Sequence, residues 1–301
     1  MPLPRLRALQ RQRRHQRRGE LRLRRAELTG WADDRAALRA AAEPGVGLCT
    51  VVAIEGSFSR RVGAQLAVRP GGALVGSLAD GCLEKQLASE IARATGPVVK
   101  RFGAGSELID FRLPCGSGLD VLIDPAPDHA ACAAAAARLD AREAAALALP
   151  PVSPLAERRF IPPLRLLLFG EGPEPDALAA LAGAAGLAVE RPPELSLGRQ
   201  PEGLSADAWT AVVLLFHDHE WEQAILHWAL ATPAFHIGAQ GGLEARRGRL
   251  ERLAAAGVPA DLLGRVHSPI GAIARAREPG VLAVSVLAEI VGEYEKLHPH
   301  G

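Results

Sequence analysis

The feature that most constrains this chain is a change in the rhythm of its apolar runs across five prolines between Pro150 and Pro163. Before these prolines, short apolar runs such as GLCTVVAIEG and LDVLID are separated by glycine, proline and serine, which predicts short strands joined by turns. After them, runs such as LRLLLF and AVVLLF alternate with helical patterns, which is typical of a parallel sheet covered on both faces. A chain of 301 residues is long enough for two domains of this kind.

We therefore predict an α/β protein with two folded domains. Residues 26–149 are expected to form an N-terminal α/β domain on a mixed sheet, closed by an alanine-rich helix from about His129 to Leu149. Residues 150–163 are interpreted as a proline-rich linker. Residues 164–301 are expected to form a Rossmann-like domain with a doubly wound parallel sheet.

The charge of the chain is unevenly distributed. Residues 1–25 hold ten arginines and one glutamate, a charge of +9, so the formal net charge of +1 leaves −8 on the rest of the chain. The basic segment is suited to nucleic acid or an anionic surface, but it has no aromatic residue and no apolar core of a secretory signal. We interpret it as a disordered extension of an acidic body that binds neither nucleic acid nor a membrane.

The cysteine content and the apolar runs indicate the compartment. The chain has four cysteines and no CxxC pair, which argues against a disulfide framework and against a zinc ribbon. The apolar runs are all shorter than a membrane span. These features favour a reducing cytoplasm.

The segment GSLADGCLEKQL places a cysteine at the start of a predicted helix. Leu83, Leu87 and Ile91 recur at four-residue spacing after Gly81, so Cys82 falls in the first helical turn. The backbone N–H groups at a helix start favour the thiolate, which is the form that binds metals and attacks electrophiles. The alternative is that Cys82 is a small buried core residue.

Two further loops of the same domain carry reactive or anion-binding side chains. In LPCGSG, Gly116 and Gly118 allow a tight backbone around Cys115, which favours an accessible thiol. In EGSFSRR, four side chains can hold an anionic group: Ser57, Ser59, Arg60 and Arg61. Together with the helix-start cysteine, these loops predict a surface that presents thiolates and binds a phosphate.

A glycine turn follows the strand LRLLLF in the second half of the chain. Strand, glycine turn and helix start form a phosphate cradle, and Gly170 and Gly172 take the first two glycine positions of a dinucleotide fingerprint. Glu190, twenty residues after Gly170, takes the position of an acidic residue that binds a ribose. Glu171 and Glu174 would repel a pyrophosphate, so the alternative is an empty or altered pocket.

The sequence FHDHE directly follows the buried strand AVVLLF. Groups at the carboxyl end of a parallel strand face the ligand crevice of doubly wound proteins. The side chains of His217, Asp218 and His219 can bind a metal, a pterin or a phosphate. The alternative is that Asp218 caps a helix and the two histidines have no joint role.

These motifs together resemble those of the xanthine dehydrogenase accessory factor family (XdhC/CoxI type). The resemblance covers roughly residues 30–297, and its carriers keep their order and spacing: EGSFSRRVGA, GSLADGCLE, LPCGSGLDVLID, FGEGP, FHDHE, AFHIGAQGG, RVHSPIG and VLAVSVLAEIVGEY. It implies a chaperone, not an enzyme, that binds the molybdenum cofactor, assists its sulfuration and inserts it into a xanthine dehydrogenase-type molybdenum hydroxylase. A homodimer and a cysteine desulfurase partner are further implications.

The same resemblance assigns roles to residues of this chain. Cys82 and Cys115 match two cysteine motifs and would ligate molybdenum or relay sulfur, and Arg60 would hold the pterin phosphate. The complete set of predicted cofactor-binding residues is Ser57, Arg60, Gly81, Cys82, Glu84, Cys115, Gly116, Gly170, Gly172, Glu190, His217, Asp218 and His219.

Three other functions stay open from the sequence. The first is an oxidoreductase that binds NAD(P) through Gly170, Gly172 and Glu190. The second is a metal-dependent hydrolase built on His217 and His219. The third is a scaffold that only docks a partner through its acidic surface.

Overall fold

The computed structural model describes residues 30–79, 81–106, 116–192 and 195–300. The basic segment 1–25, the strand candidate LIDFRL and Cys115 lie outside the described residues. Within the described ranges, the predicted α/β class with a parallel second sheet is confirmed. None of the described helices combines the length and apolar content that crossing a membrane requires.

The first sheet has the strand order β3-β2-β1-β5-β4. Its strands are β1 Gly47–Glu55, β2 Gln65–Val68, β3 Leu74–Gly76, β4 Val98–Gly103 and β5 Gly118–Asp124. All of its described strand pairs are antiparallel, so the prediction of a mixed sheet is wrong. The reason is connectivity: β1, β2 and β3 follow one another through short loops, and such loops join antiparallel neighbours, whereas parallel neighbours need a long crossover.

Helices cover both faces of this sheet. They are α1 Gly30–Ala41, α2 Cys82–Arg93 and α3 His129–Asp140. Because side chains alternate along a strand, Leu48 of β1 packs with α1 and α3, whereas Cys49 packs on the other face with Leu83 and Leu87 of α2. The helix predicted from the segment around Cys82 is therefore present and begins at that residue.

Helix α3 is shorter than predicted, and a hairpin follows it. The helix ends at Asp140, and strands β6 Ala145–Ala148 and β7 Glu157–Phe160 then pair antiparallel. Residues 150–163, predicted as a linker, thus contain β7. Three of the five prolines lie between the two strands, where proline costs no ladder hydrogen bond.

The second sheet is parallel in all of its described pairs, with the order β12-β11-β10-β8-β9. Its strands are β8 Arg165–Phe169, β9 Ala188–Glu190, β10 Thr210–Leu214, β11 His236–Ala239 and β12 Val266–His267. Its helices are α4 Pro173–Ala184, α5 Glu222–Leu230, α6 Leu243–Ala255, α7 Ala260–Leu263 and α8 Pro279–Glu295. Helices α5 and α6 cover one face and α4 and α8 the other, so this domain is doubly wound as predicted.

Polar contacts join the two domains. The guanidinium of Arg142, just after α3, forms an ion pair with Asp207 and donates from Nη1 to the carbonyl of Pro163 at 3.0 Å. The hydroxyl of Tyr294 in α8 donates to the carbonyl of Pro162 at 2.6 Å. Arg61 of the N-terminal domain also pairs with Glu295 at 2.7 Å, which places the last turn of α8 beside that domain.

The ion pair at Asp207 makes the stability of the protein depend on pH. Burial alone would raise the pKa of Asp207, but hydrogen bonds from Arg142 and Thr210 outweigh it and lower the pKa to about 2. A carboxyl whose pKa is lowered in the folded state stabilises the fold above about pH 4, and this contribution disappears as the pH falls towards 2.

We predict that Asp207→Asn lowers the free energy of unfolding by about 1–2 kcal/mol at pH 7. The difference from the wild type should shrink between pH 5 and pH 2, because the wild-type carboxyl then becomes protonated. Urea unfolding across this range measures it, with Asp261→Asn at an exposed carboxylate as the control. A difference that does not change with pH would contradict the assignment.

Candidate functional site

Three loops leave the first sheet at the same end. In the strand register, Glu55 at the end of β1 and Gly103 at the end of β4 both pair with Gly118 at the start of β5. Gly76 at the end of β3 pairs with Leu66 near the start of β2. The loop after β1, the loop before α2 and the loop between β4 and β5 therefore meet at one edge of the domain. These three loops contain the motifs EGSFSRR, GSLADGCLEKQL and LPCGSG.

Cys82 is the first residue of α2, and it is exposed. The preceding Gly81 adopts φ +96°, a left-handed conformation that glycine accepts without strain. The loop is held by the buried carboxylate of Glu84, which accepts hydrogen bonds from the backbone N–H groups of Leu78 (2.9 Å), Ala79 (2.6 Å) and Gly81 (2.8 Å). The predicted position of an accessible thiol at a helix start is thus present in the structure.

Glu84 has a structural role in this loop. Burial by itself raises its pKa, but hydrogen bonds from backbone N–H groups, its own among them, outweigh burial and hold the pKa below its usual range. The carboxylate is therefore ionised at neutral pH, and it already accepts hydrogen bonds from three backbone N–H groups of the preceding loop. Glu84 therefore positions the loop before Cys82, and its contact with a cofactor stays a prediction.

The loop that carries Arg60 touches the loop that leads to Cys82. Nε of Arg60 donates to the carbonyl oxygen of Ser77 at 3.1 Å, and its Nη2 lies 3.5 Å from the hydroxyl of Ser77. Ser57 is exposed in the same loop as Arg60. The structure therefore brings together the predicted anion-binding loop and the predicted thiolate loop.

The end of the loop between β4 and β5 lies beside the loop that follows β1. Gly116 is exposed, and a Cβ on Gly56 would lie 3.6 Å from the Cα of Ser117. The segment after Cys115 thus lies against the start of the loop that carries Ser57. Cys115 itself lies outside the described residues.

A basic cavity of about 600 Å³, which we call the interdomain cleft, adjoins the Arg60 loop. Its charged lining residues are Arg35, Arg60, Arg61, Arg158, Asp34 and Glu295. The two carboxylates are paired, Asp34 with Arg158 at 3.1 Å and Glu295 with Arg61 at 2.7 Å. Four guanidinium groups against two carboxylates give the cleft a positive potential.

His298 lines the interdomain cleft without adding to its charge. Burial is the main cause that lowers its pKa, with Arg61 and Arg158 as further causes, and the resulting value is about 4. The ring is therefore neutral at pH 7. The positive potential of the cleft comes from arginines, which stay protonated.

A second cavity of about 520 Å³, which we call the Rossmann pocket, lies at the carboxyl ends of β8 and β10. Its lining residues include Gly170, Glu171, Arg191, Phe216, His217 and Asp218. Gly170 has φ +128°, and a Cβ there would lie 2.3 Å from the carbonyl oxygen of Leu215, so only glycine fits. Gly172 caps α4, as expected for the glycine turn.

The charges of the Rossmann pocket oppose a pyrophosphate. Glu171 lines it, and Glu174 and Asp176 lie in the first turn of α4, where an anion would bind. Glu190, predicted to bind a ribose, instead points its carboxylate towards Arg165, with 3.6 Å between Oε2 and Nη1. The next residue, Arg191, lines the pocket and donates to Asp176 at 2.6 Å.

The HDH motif does not form one ligand set. Nε2 of His217 lies 3.3 Å from Oε2 of Glu174, whereas Nδ1 of His219 lies 3.1 Å from Oε1 of Glu222. Asp218 accepts the backbone N–H of the residue two positions on at 2.9 Å and caps the short 3₁₀-helix that follows. The capping alternative for Asp218 is therefore the one the structure shows, although His217 and Asp218 both face the Rossmann pocket.

Three arginines of these cavities were missed by sequence reasoning: Arg35, Arg158 and Arg191. Arg158 lies in the proline-rich segment that was interpreted as a linker, and its side chain is buried over the ring of Phe160 at 4.4 Å. Each of these arginines is brought to its cavity by tertiary packing, so no local pattern in the sequence identifies it as a cavity residue.

Comparisons with known proteins agree with this arrangement. A family model described as the XdhC and CoxI family matches residues 38–103, and one described as the XdhC Rossmann domain matches residues 166–290. The chain is 31% identical to the molybdenum cofactor insertion chaperone PaoD of Escherichia coli (strain K12), over 86% of this chain and 88% of PaoD. A crystal structure described as a xanthine dehydrogenase from Bacillus halodurans superposes with a TM-score of 0.66 over 89% of this chain and 97% of that chain. At 19% identity this likeness shows the fold alone.

The exposure of the thiols predicts their reactivity. Burial raises the pKa of Cys132 to about 11 and that of the buried Cys49 still further, so both stay protonated thiols at pH 8. We predict that iodoacetamide modifies Cys82 in the folded protein, whereas Cys49 and Cys132 react only after unfolding in urea. Peptide mass spectrometry of the Cys115→Ser variant measures the three rates. Equal labelling of Cys132 and Cys82 in the folded protein would contradict the described burial.

Proposed function

Because this chain belongs to the XdhC and CoxI family, we propose that it binds the molybdenum cofactor and delivers it to a molybdenum hydroxylase of the xanthine dehydrogenase type. In this proposal the chain is a chaperone for its cargo and does not turn over a small molecule. The E. coli relative is named for cofactor insertion, which is the same task.

The observation that carries the proposal is the contact between Arg60 and the loop that ends at Cys82. The distance of 3.1 Å from Nε of Arg60 to the carbonyl of Ser77 joins an anion-binding side chain to the loop that leads to an exposed thiol. The cargo has a molybdenum atom held by soft dithiolene sulfurs and a pterin that ends in a phosphate. A thiolate suits the metal, and a guanidinium suits the phosphate. We infer that Cys82 approaches molybdenum while Arg60 binds the phosphate.

The interdomain cleft supports the same proposal. Its volume of about 600 Å³ falls within the usual range of small-molecule sites, roughly 300–1,000 Å³. Arg35, Arg61 and Arg158 give it the charge that attracts an anionic cofactor. Residues of both domains line it, since Tyr294 and Glu295 belong to the last turn of α8. A change in the relative position of the domains would therefore open the cleft and release the cargo.

The proposal also includes the source of sulfur, the cellular compartment and the oligomeric state that the family resemblance implies. The thiolate of Cys82 or Cys115 would attack the outer sulfur of a persulfide on a cysteine desulfurase, form its own persulfide and release the cysteine thiolate of the desulfurase, so that it holds sulfur for the sulfuration of the cofactor. We also propose that the protein works in the cytoplasm, where such thiols stay reduced, and as a homodimer.

We do not extend the proposal to NAD(P) or to metal-dependent hydrolysis. Glu171 lines the pocket, and Glu174 and Asp176 put two negative charges in the first turn of the helix whose start a pyrophosphate would need. His217 and His219 contact different carboxylates instead of sharing one ligand position. The Rossmann pocket is therefore the weaker candidate for the main ligand.

The experiment is to purify the full chain from cells that make the cofactor and to measure molybdenum and pterin per chain. We predict that the wild type carries both. Cys82→Ser should lose molybdenum, because a hydroxyl is a poor ligand for a soft metal. Arg60→Ala should lower the pterin content by about tenfold, which corresponds to the loss of one charge-assisted contact.

A matched control is available in the same domain. Arg69 is an exposed arginine paired with Glu43 at 2.8 Å, and it does not line the interdomain cleft. Arg69→Ala should retain the wild-type content of molybdenum and pterin. Wild-type content in both Cys82→Ser and Arg60→Ala would overturn the assigned site.

A further inference from the structure

Two histidines and a glutamate meet on the α8 side of the parallel sheet, outside both cavities. His236 is the first residue of β11, His267 the last residue of β12, and Glu289 lies in α8. One ligand atom from each side chain lies within 4.8 Å of the other two. Among the described residues, these three side chains are the group that lies close enough together to hold one metal ion.

The fold creates the space for this group. Gly238 pairs with His267 across β11 and β12, and side chains two residues apart share a face, so His236 and His267 project to the same side. A Cβ at Gly238 would lie 3.1 Å from Nε2 of His236 and 2.1 Å from Cδ1 of Ile270. Glycine at this position therefore leaves room for the imidazole rings, whose centroids are 4.3 Å apart.

The polar atoms of this group are buried without hydrogen bonds. The side chain of His236 is 0% exposed, and within the described structure neither of its ring nitrogens has a hydrogen-bond partner. The same holds for Oε1 of Glu289, although it lies 3.3 Å from Nε2 of His236 and 3.8 Å from Nδ1 of His267. Each such buried group destabilises the fold, because it has lost its hydrogen bonds to water without gaining another partner. A cation between these atoms would remove that destabilisation.

We infer that His236, His267 and Glu289 form a binding site for a divalent transition-metal ion of the zinc type. Zinc sites with two histidines, one glutamate and an open fourth position have bonds of about 2.0–2.2 Å, which places neighbouring ligand atoms roughly 3.3–3.6 Å apart. Oε1 of Glu289 lies 3.3 Å from the His236 nitrogen and 3.8 Å from the His267 nitrogen, and all three ligand atoms lie within 4.8 Å of one another, so an inward shift of His267 would close the site around an ion. The His267 side chain is 42% exposed, which leaves solvent access for the ion and for a fourth ligand.

A neighbouring contact orients the carboxylate. Oε2 of Glu289 accepts the backbone N–H of Gly271 at 2.7 Å, so the other oxygen is directed at the histidines. Metal sites commonly hold their ligands by hydrogen bonds of this kind. The carboxylate also brings a negative charge, and Glu293, one helical turn further along α8, adds a second.

The ion would fasten α8 to the edge of the parallel sheet. Glu289 lies on the same helix as Tyr294 and Glu295, which line the interdomain cleft. The metal would therefore steady the helix that forms one wall of the cleft. This inference does not rest on the proposed function, because neither histidine touches the cleft or the Rossmann pocket.

The test uses the full, untagged chain with Cys82→Ser and Cys115→Ser, so that thiolates take up no zinc. After treatment with a chelator, Zn²⁺ is titrated into this protein by calorimetry. The expected result is one zinc ion per chain, with affinity reduced about tenfold or more by His267→Ala and by Glu289→Gln. Glutamine can still accept the N–H of Gly271, and His267 is partly exposed, so both variants should fold.

The control is His227→Ala, which removes an exposed histidine on α5 that contacts Gln200. This variant should keep the affinity of its parent. No zinc binding by the parent, or unchanged affinity in either His267→Ala or Glu289→Gln, would overturn the inference.

Discussion

The arrangement of the site depends on one buried carboxylate. Glu84 collects three backbone N–H groups of the loop before α2, which fixes that loop and sets Cys82 at the exposed start of the helix. With the loop fixed, the carbonyl of Ser77 is in place to receive Arg60. Without this carboxylate, the N–H of the buried Leu78 would be left unpaired at a cost of about 1–3 kcal/mol.

The second domain forms one wall of the interdomain cleft, and this role is better supported than a nucleotide-binding role. Its sheet has the doubly wound order and the glycine turn of nucleotide-binding proteins, yet its own carboxylates lie on the Rossmann pocket and in the first turn of α4. Helix α8 reaches back to the N-terminal domain, where Glu295 pairs with Arg61 and the hydroxyl of Tyr294 meets the carbonyl of Pro162. The basic interdomain cleft exists because these two surfaces meet.

The sequence predicted features that are encoded locally and missed those created by packing. The helix start at Cys82 and the strands of the parallel sheet follow from periodicity, and both are present. Long-range contacts determine the antiparallel pairing of the first sheet, the approach of Arg158 to the cleft and the ion pair of Glu190 with Arg165. The same limit explains why the cluster around His236 was not predicted as a metal site: its three residues lie in separate segments, AFHIGAQGG, RVHSPIG and VLAVSVLAEIVGEY, which only the fold brings together.

The central claim is that the cargo binds at the loop end of the first sheet and not in the Rossmann pocket. Hydrogen–deuterium exchange on the full chain, compared with and without bound molybdenum cofactor, tests it most directly. The account predicts slower exchange in residues 56–63 and 77–84, whose backbone would be covered. Slower exchange confined to residues 168–172 and 216–221, around the Rossmann pocket, would contradict it.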